Sequence, residues 1–144
     1  FDEEHKYKLA ISLNASNNLL RDKIMPINRK WTIEDLISIV KNNQNKYNQI
    51  IMFEYVLLKD LNDSSTDAMQ LANLLKGVKC KINLIPFNEI DGKYKRPTLK
   101  KINLFSKILH EQRNNYRVFI RWSKGEDINA ACGQLATNIN EKYS

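Results

Sequence analysis

Cys132 is the residue whose type and setting most suggest chemistry. It lies in the run Ala130-Ala131-Cys132-Gly133, where small neighbours let a backbone or a substrate come close to the sulfur. A thiolate is a nucleophile and a metal ligand. No histidine adjoins it, and Glu126 and Asp127 push a thiol pKa up, so a Cys–His hydrolase is disfavoured. The competing reading is a buried structural cysteine, because free Cys packs like a small hydrophobe. The other cysteine, Cys80, is distant. With His5 and His110 the two thiols form no zinc or iron–sulfur spacing. Glu54 and Asn83 stand inside apolar runs, where an unpartnered polar group costs roughly 1–3 kcal/mol. Either they line a cavity and meet a polar ligand, or they bond neighbouring backbone or face solvent at a sheet edge.

A second constellation is basic and aromatic. Lys93-Tyr94-Lys95-Arg96 is followed by Lys100-Lys101, then by Arg113, Arg117, Arg121 and Lys124, with Tyr94 and Trp122 interleaved. Such groups neutralise phosphate and stack bases, although a solvated surface gives the same pattern. The chain has 23 Lys+Arg against 16 Asp+Glu, a formal net charge of +7, which leans toward a polyanionic partner. Asn- and Lys-biased coding weakens that argument. Neither G-x-G-x-x-G nor a Walker A sequence occurs, so dinucleotide and P-loop chemistry lack support.

The elements that must position these residues alternate regularly. Lys8–Leu13, Ile50–Leu58, Cys80–Phe87 and Arg117–Trp122 read as strands, short and rich in β-branched and aromatic residues. Their near-continuous apolar character predicts parallel strands buried on both faces. Ile33, Leu36, Ile37 and Val40 follow helical spacing after Thr32, which with Asp35 resembles a capping box. A second helix runs from about Ser65 to Lys76 and stops at Gly77. A third starts near Thr98 with Ile102, Phe105 and Leu109 inside, and a minor turn, Asn18–Met25, stops before Pro26. The order is β-α-β-α-β-α-β: an α/β chain of four parallel strands with three main helices. At 144 residues it is too short for a closed eight-stranded barrel of about 250 residues. It is an open sheet or a segment of a parallel (βα) partial barrel. No stretch approaches about 18 consecutive apolar residues, so no membrane helix is expected. In such architectures the working groups sit at the carboxyl ends of the strands, here Ser12 and Asn14, Lys59 and Asp60, Asn88, and Ser123 with Lys124.

LAISLNAS at Leu9–Ser16 resembles the LAISLHAP segment of the radical-SAM adenine-C2 methyltransferases of ribosomal and transfer RNA. RDKIMPINRKW (Arg21–Trp31), FEYVLLKDLNDS (Phe53–Ser64) and CKINLIPFN (Cys80–Asn88) resemble that family's successive blocks. SKGEDINAACGQLA (Ser123–Ala136) is similar to its C-terminal signature. The resemblance runs in order from about Leu9 to Ala136. A sister family that methylates adenine C8 shares much of the pattern.

The resemblance implies the second half of a radical-SAM six-stranded partial TIM barrel, with residues 1–144 as its C-terminal part and 123–144 as a catalytic-cysteine tail. It implies an enzyme that methylates adenine C2 in 23S rRNA and tRNA. Ser12, Leu13, Asn14 and Asn88 match segments that contact S-adenosyl-L-methionine. Cys132 matches the cysteine that is first methylated; a 5′-deoxyadenosyl radical then takes a hydrogen from that methyl group, and the carbon radical adds to adenine in a covalent RNA adduct. The [4Fe–4S] cluster is implied for the full-length protein but not for this chain, whose metal ligands are expected upstream, so these residues alone are expected to be inactive. The partners implied are rRNA and tRNA substrates and an electron donor, with no membrane. The compartment implied is cytoplasmic, with a plastid or mitochondrial location left open. Three departures stand out: Asn14 for the usual His, Asn129 for Asp, and Trp122 for a basic residue. A cut sheet edge is expected to favour dimers. The alternatives are the adenine-C8 activity, a non-catalytic α/β RNA-binding domain, and a doubly wound nucleotide or flavin binder, which would hold its ligand at a switch point in strand order.

Overall fold

The structure, a computed structural model, describes residues 9–25, 31–47, 51–88, 93–112 and 116–122. The elements in chain order are β1 (Leu9–Ser12), α1 (Asn18–Ile24), α2 (Ile33–Tyr47), β2 (Ile51–Leu57), α3 (Ser65–Leu74), β3 (Cys80–Pro86), α4 (Leu99–Glu111) and β4 (Tyr116–Ile120). Each lies where the sequence pattern predicts it, within a residue or a few at the ends. The tail 123–144, with Ser123, Lys124 and Cys132, lies outside the described residues, as does Arg113.

Local chemistry explains the helix ends. Asn17 caps α1, its side chain accepting from the Leu20 N–H at 2.9 Å, and the helix closes at Met25, whose extended backbone suits a residue before proline. At α2 the Asp35 N–H donates to Thr32 Oγ1 at 3.2 Å, one half of the expected box. The full capping box is found instead at α3: the Asp67 N–H donates to Ser64 Oγ at 3.0 Å, and the Ser64 N–H donates to the Asp67 carboxylate at 3.2 Å. Past α3, Gly77 takes φ +81, a left-handed turn that side chains resist, and carries the chain into β3. Thr98 caps α4 through the Lys101 N–H, after a buried Pro97. Gln44 on α2 both accepts from and donates to the Lys79 backbone, fixing α2 against the approach to β3.

The four strands form one parallel sheet in the order β1-β2-β3-β4. Strand order equals chain order, so each helical crossover advances by one strand in the same sense. There is no switch point among the described residues, which removes the doubly wound alternative and leaves a section of a singly wound barrel.

Side chains alternate between the two faces of the sheet. On one face Ile11, Phe53, Ile82 and Val118 form a register row, flanked by Ile51, Cys80 and Tyr116 and by Tyr55 and Leu84. This face packs against Ile33, Ile37 and Val40 of α2, Ala68, Leu71 and Ala72 of α3 with Leu75 just past its end, and Ile102, Phe105 and Leu109 of α4. Tyr55 and Phe105 meet with ring centroids 5.2 Å apart. Truncating such a ring to Ala costs about 3–5 kcal/mol, so this face holds the fold together.

The other face corrects the expectation of strands buried on both sides. Met52, Glu54, Lys81 and Phe119 are half-buried there and Arg117 is exposed. A small apolar cluster of Val56, Leu58 and Phe87, with Ile24, Leu61, Ile85 and Tyr94 against it, closes the carboxyl end of this face. The three long helices share one side and the polar residues share the other, as the wall of a barrel requires.

Candidate functional site

The carboxyl ends of the strands and the inner face below them gather the polar residues. Ser12, Glu54, Asn83 and Phe119 stand side by side in register on β1, β2, β3 and β4. Glu54 and Asn83 are therefore not edge residues; they sit on the two central strands and face the barrel side. Asn83 is 6% exposed and its Oδ1 accepts from Arg121 Nε at 3.2 Å. Ser12 is 2% exposed, and its hydroxyl oxygen has no hydrogen-bond partner among the described residues. A buried hydroxyl is rarely left unpaired, because the desolvation cost is not recovered.

Leu13 and Asn14 play a different part. Leu13 is fully buried in the helix-side core, and its N–H makes the last ladder bond, to the Glu54 carbonyl at 2.9 Å. Asn14 is 2% exposed with φ 57, a left-handed conformation that Asn tolerates better than most residues. Its Oδ1 accepts from the Val56 N–H at 2.8 Å, taking over where the β1–β2 ladder stops. Its Nδ2 donates to Met25 Sδ at 3.2 Å. The side-chain amide is thus committed within the protein.

Two residues not singled out from sequence hold this turn. Asn62 is fully buried: its Nδ2 donates to the carbonyls of Asn14 at 2.9 Å and Val56 at 2.8 Å, and its Oδ1 accepts from the Leu58 N–H at 2.7 Å. Its own carbonyl accepts from the Tyr55 hydroxyl at 2.7 Å. Arg21 of α1, 4% exposed, places Nε and Nη2 on the carbonyls of Leu13 and Ser12, each at 3.0 Å. Burial pushes the Arg21 pKa down, and the neighbouring Asp22 carboxylate opposes that shift. Burial, then the charges of Asp67 and Asp63, hold the Tyr55 hydroxyl well above its usual range, so it stays a donor. The sequence signal for Arg21 and Asn62 was their place in the blocks Arg21–Trp31 and Phe53–Ser64, and a block match does not separate a buried bracket from a surface side chain.

Asn88 is half-buried just past β3, beside Phe87, whose N–H bonds the Leu57 carbonyl at 3.2 Å. The segment after it crosses the rim: the Lys59 N–H donates to the Lys95 carbonyl at 2.7 Å, and Arg96 Nε donates to the Phe87 carbonyl at 2.7 Å. The Arg96 guanidinium lies 5.6 Å from the centre of the half-exposed Trp122 ring. Further in, the Phe119 ring has Lys81 Nζ at 4.8 Å and the Arg121 guanidinium at 5.0 Å. Positive charge therefore concentrates on the barrel side of β3 and β4. His110 is exposed on α4, away from these groups.

An iron–sulfur cluster does not fit the described residues. Cys80 is 4% exposed in the helix-side core, where burial pushes its thiol up to about 12, far from the thiolate a metal needs. No group of three or more His, Cys, Asp or Glu among the described residues is placed to hold a metal ion. No described helix is long and apolar enough to cross a membrane.

No protein-family model matches the sequence. Individual proteins do. The dual-specificity RNA methyltransferase RlmN of Desulfotalea psychrophila is 47% identical over 143 residues, covering 99% of this chain and 39% of its own length. That of Desulfosudis oleivorans is 48% identical over 136 residues, covering 94% of this chain and 36% of its own length. The chain thus spans less than half the length of the curated relatives it matches. A radical SAM methyltransferase from Sphaerobacter thermophilus superposes with a TM-score of 0.81 at 41% identity, over 88% of this chain and 37% of that one. A domain of pyruvate-formate lyase-activating enzyme from Bacteroides vulgatus, 14% identical with a TM-score of 0.61, shares the fold.

Proposed function

We propose, on the premise that this chain belongs to the RlmN family of radical-SAM RNA methyltransferases, that it is the C-terminal part of an enzyme methylating adenine C2 in 23S rRNA and tRNA. The observation that carries this reading is the 47% identity across 99% of the chain, which extends it through the tail bearing Cys132. The basic barrel side of β3 and β4 agrees with an RNA substrate.

S-Adenosyl-L-methionine, when bound, supplies an activated methyl group. The residues that would hold it are Ser12 and Asn88 at the strand ends, the buried Ser12 hydroxyl having no partner among the described residues. Leu13 and Asn14 serve by position: Asn62 and Arg21 pin their backbone so that Ser12 keeps its place on the inner face. Cys132 is the acceptor. With its thiol proton already lost to solvent, the thiolate would form a carbon–sulfur bond to that methyl group as the carbon's bond to the sulfonium breaks. The S-methyl carbon on Cys132 would be the unit destined for adenine; bound S-adenosyl-L-methionine would supply the radical chemistry that removes one of its hydrogens before it joins the RNA in a covalent adduct. This reading assigns the cluster thiolates to the part of the relatives' length that the chain does not cover, and the electron to an external donor. The residues 1–144 alone are inactive in it. The edge of β1 draws a second copy onto the isolated chain, since one side of that strand has no partner strand among the described residues.

The test is mass spectrometry of Cys132 together with methyl transfer to RNA, in the protein carrying this chain after anaerobic reconstitution. A methyl group on Cys132, with RNA methylation abolished in Cys132→Ala, is the expected result. A fully active Cys132→Ala protein would overturn the reading and leave the non-catalytic RNA-binding alternative. Methylation at C8 instead of C2 would move the activity to the sister family.

A further inference from the structure

The loop after β2 and the segment 93–97 enclose an open cleft of about 360 Å³ lined by Lys59, Asp60, Leu61, Lys93, Tyr94 and Lys95. Three lysines and one aromatic ring thus meet in a space at the small end of the range that ligand pockets occupy. The cleft is built rather than incidental. The Lys59 N–H to Lys95 carbonyl bond ties its two walls together at 2.7 Å. Arg96 anchors the second wall to the Phe87 carbonyl at 2.7 Å. Tyr94 is braced edge-on against Phe87, with ring centroids 5.9 Å apart and an interplanar angle of 87°, and Lys93 Nζ lies 5.4 Å from the Tyr94 ring centre. Asp60, with φ 59, closes the first wall, and its carboxylate lies 3.8 Å from Lys101 Nζ, which offsets part of its charge. The cleft opens at the same rim as the strand ends.

We infer that this cleft takes one unpaired nucleotide of the substrate RNA, its phosphate among Lys59, Lys93 and Lys95 and its base against Tyr94. This rests on the RNA-modifying reading above and adds the place where the strand is gripped. Lysines supply phosphate neutralisation without sequence preference, and a single aromatic face accepts any base. The cleft therefore holds a neighbour of the target, not the target adenine itself, because phosphate contacts and stacking on one ring carry no base identity.

The experiment measures binding of a fluorescent single-stranded RNA oligonucleotide to the protein carrying this chain, over a range of salt. Each lysine lost from a phosphate contact lowers the slope of log K against log [salt] by about 0.7 on a single strand, so Lys59→Ala/Lys93→Ala/Lys95→Ala lowers it by about 2. Tyr94→Leu weakens binding about tenfold at every salt concentration and leaves the slope unchanged. The Lys→Arg triple variant keeps the wild-type slope, which separates lost charge from lost fold. A control triple at the opposite end of the sheet and on the outer helix, Lys76→Ala/Lys79→Ala/Lys107→Ala, also leaves it unchanged. An unaltered slope in the first triple, or an equal fall in the control, would overturn the assignment. Cys132 methylation, read separately by mass, distinguishes the two failures: methylated protein with an unaltered slope sinks the cleft alone, and unmethylated protein with the expected slopes sinks the reaction alone.

Discussion

At the scale of single residues, burial decides which reactive groups are usable. Cys80 is a thiol by type and a core atom by position. Its pKa is raised from 9.0 to about 12 because the folded state disfavours the thiolate. The folded protein therefore keeps a proton that the unfolded chain releases above about pH 9. Stability from this group is complete below pH 9 and falls as the pH rises toward 12. Urea unfolding between pH 8 and 10.5 should show that decline, and Cys80→Ala should flatten it. The same burial predicts that a thiol reagent labels Cys80 only on unfolding; rapid labelling of the native protein would contradict its place in the core. Ser12 shows the opposite case, a buried hydroxyl without a partner among the described residues, in one register row with Glu54 and Asn83.

At the scale of elements, the critical feature is the junction where β1 stops pairing with β2. The Val56 N–H would be left unpaired there, and the Asn14 side chain supplies the missing acceptor. Asn62 then closes the loop after β2 onto both strand ends with three side-chain hydrogen bonds. Asn62→Ala leaves the Leu58 N–H and two buried carbonyls without those partners, which predicts a loss of about 2–4 kcal/mol in denaturant unfolding. Asn73→Ala, on the exposed side of α3, should stay within about 0.5 kcal/mol of the parent. If Asn62→Ala proves as mild as Asn73→Ala, the bracket does not set the geometry of Ser12 and Asn14. The element boundaries themselves were legible because caps and breakers are local: Asn17, Ser64, Gly77 and Thr98 act within a turn of their own position.

At the scale of the whole molecule, the sheet is a strip with two edges, β1 and β4, and helices on one side. Edge strands present unpaired N–H and carbonyl groups that pair with another strand when one is offered. The proposed second copy makes the apparent mass of the isolated 144 residues rise with concentration in sizing experiments. A single monomer mass at every concentration would show the β1 edge to be protected. The net charge of +7 is a property of the same scale, and the fold turns it into a location: Lys81, Arg96, Arg117 and Arg121 lie on or above the barrel side.

The sequence by itself determined the element order, the parallel sheet and the family, because periodicity, capping and motif order are carried along the chain. It flagged Glu54 and Asn83 as polar residues in apolar runs, but it left open whether they met a ligand, backbone or solvent. Only the tertiary structure put them in one row with Ser12, since register between strands arises from pairing residues about 30 to 40 positions apart in the chain. Only the tertiary structure showed that the Asn14 side chain bonds the Val56 N–H and Met25, and that Asn62 and Arg21 are buried brackets. A side chain's hydrogen-bond partners are fixed by which distant backbone groups the packing leaves unpaired, and no local pattern records that.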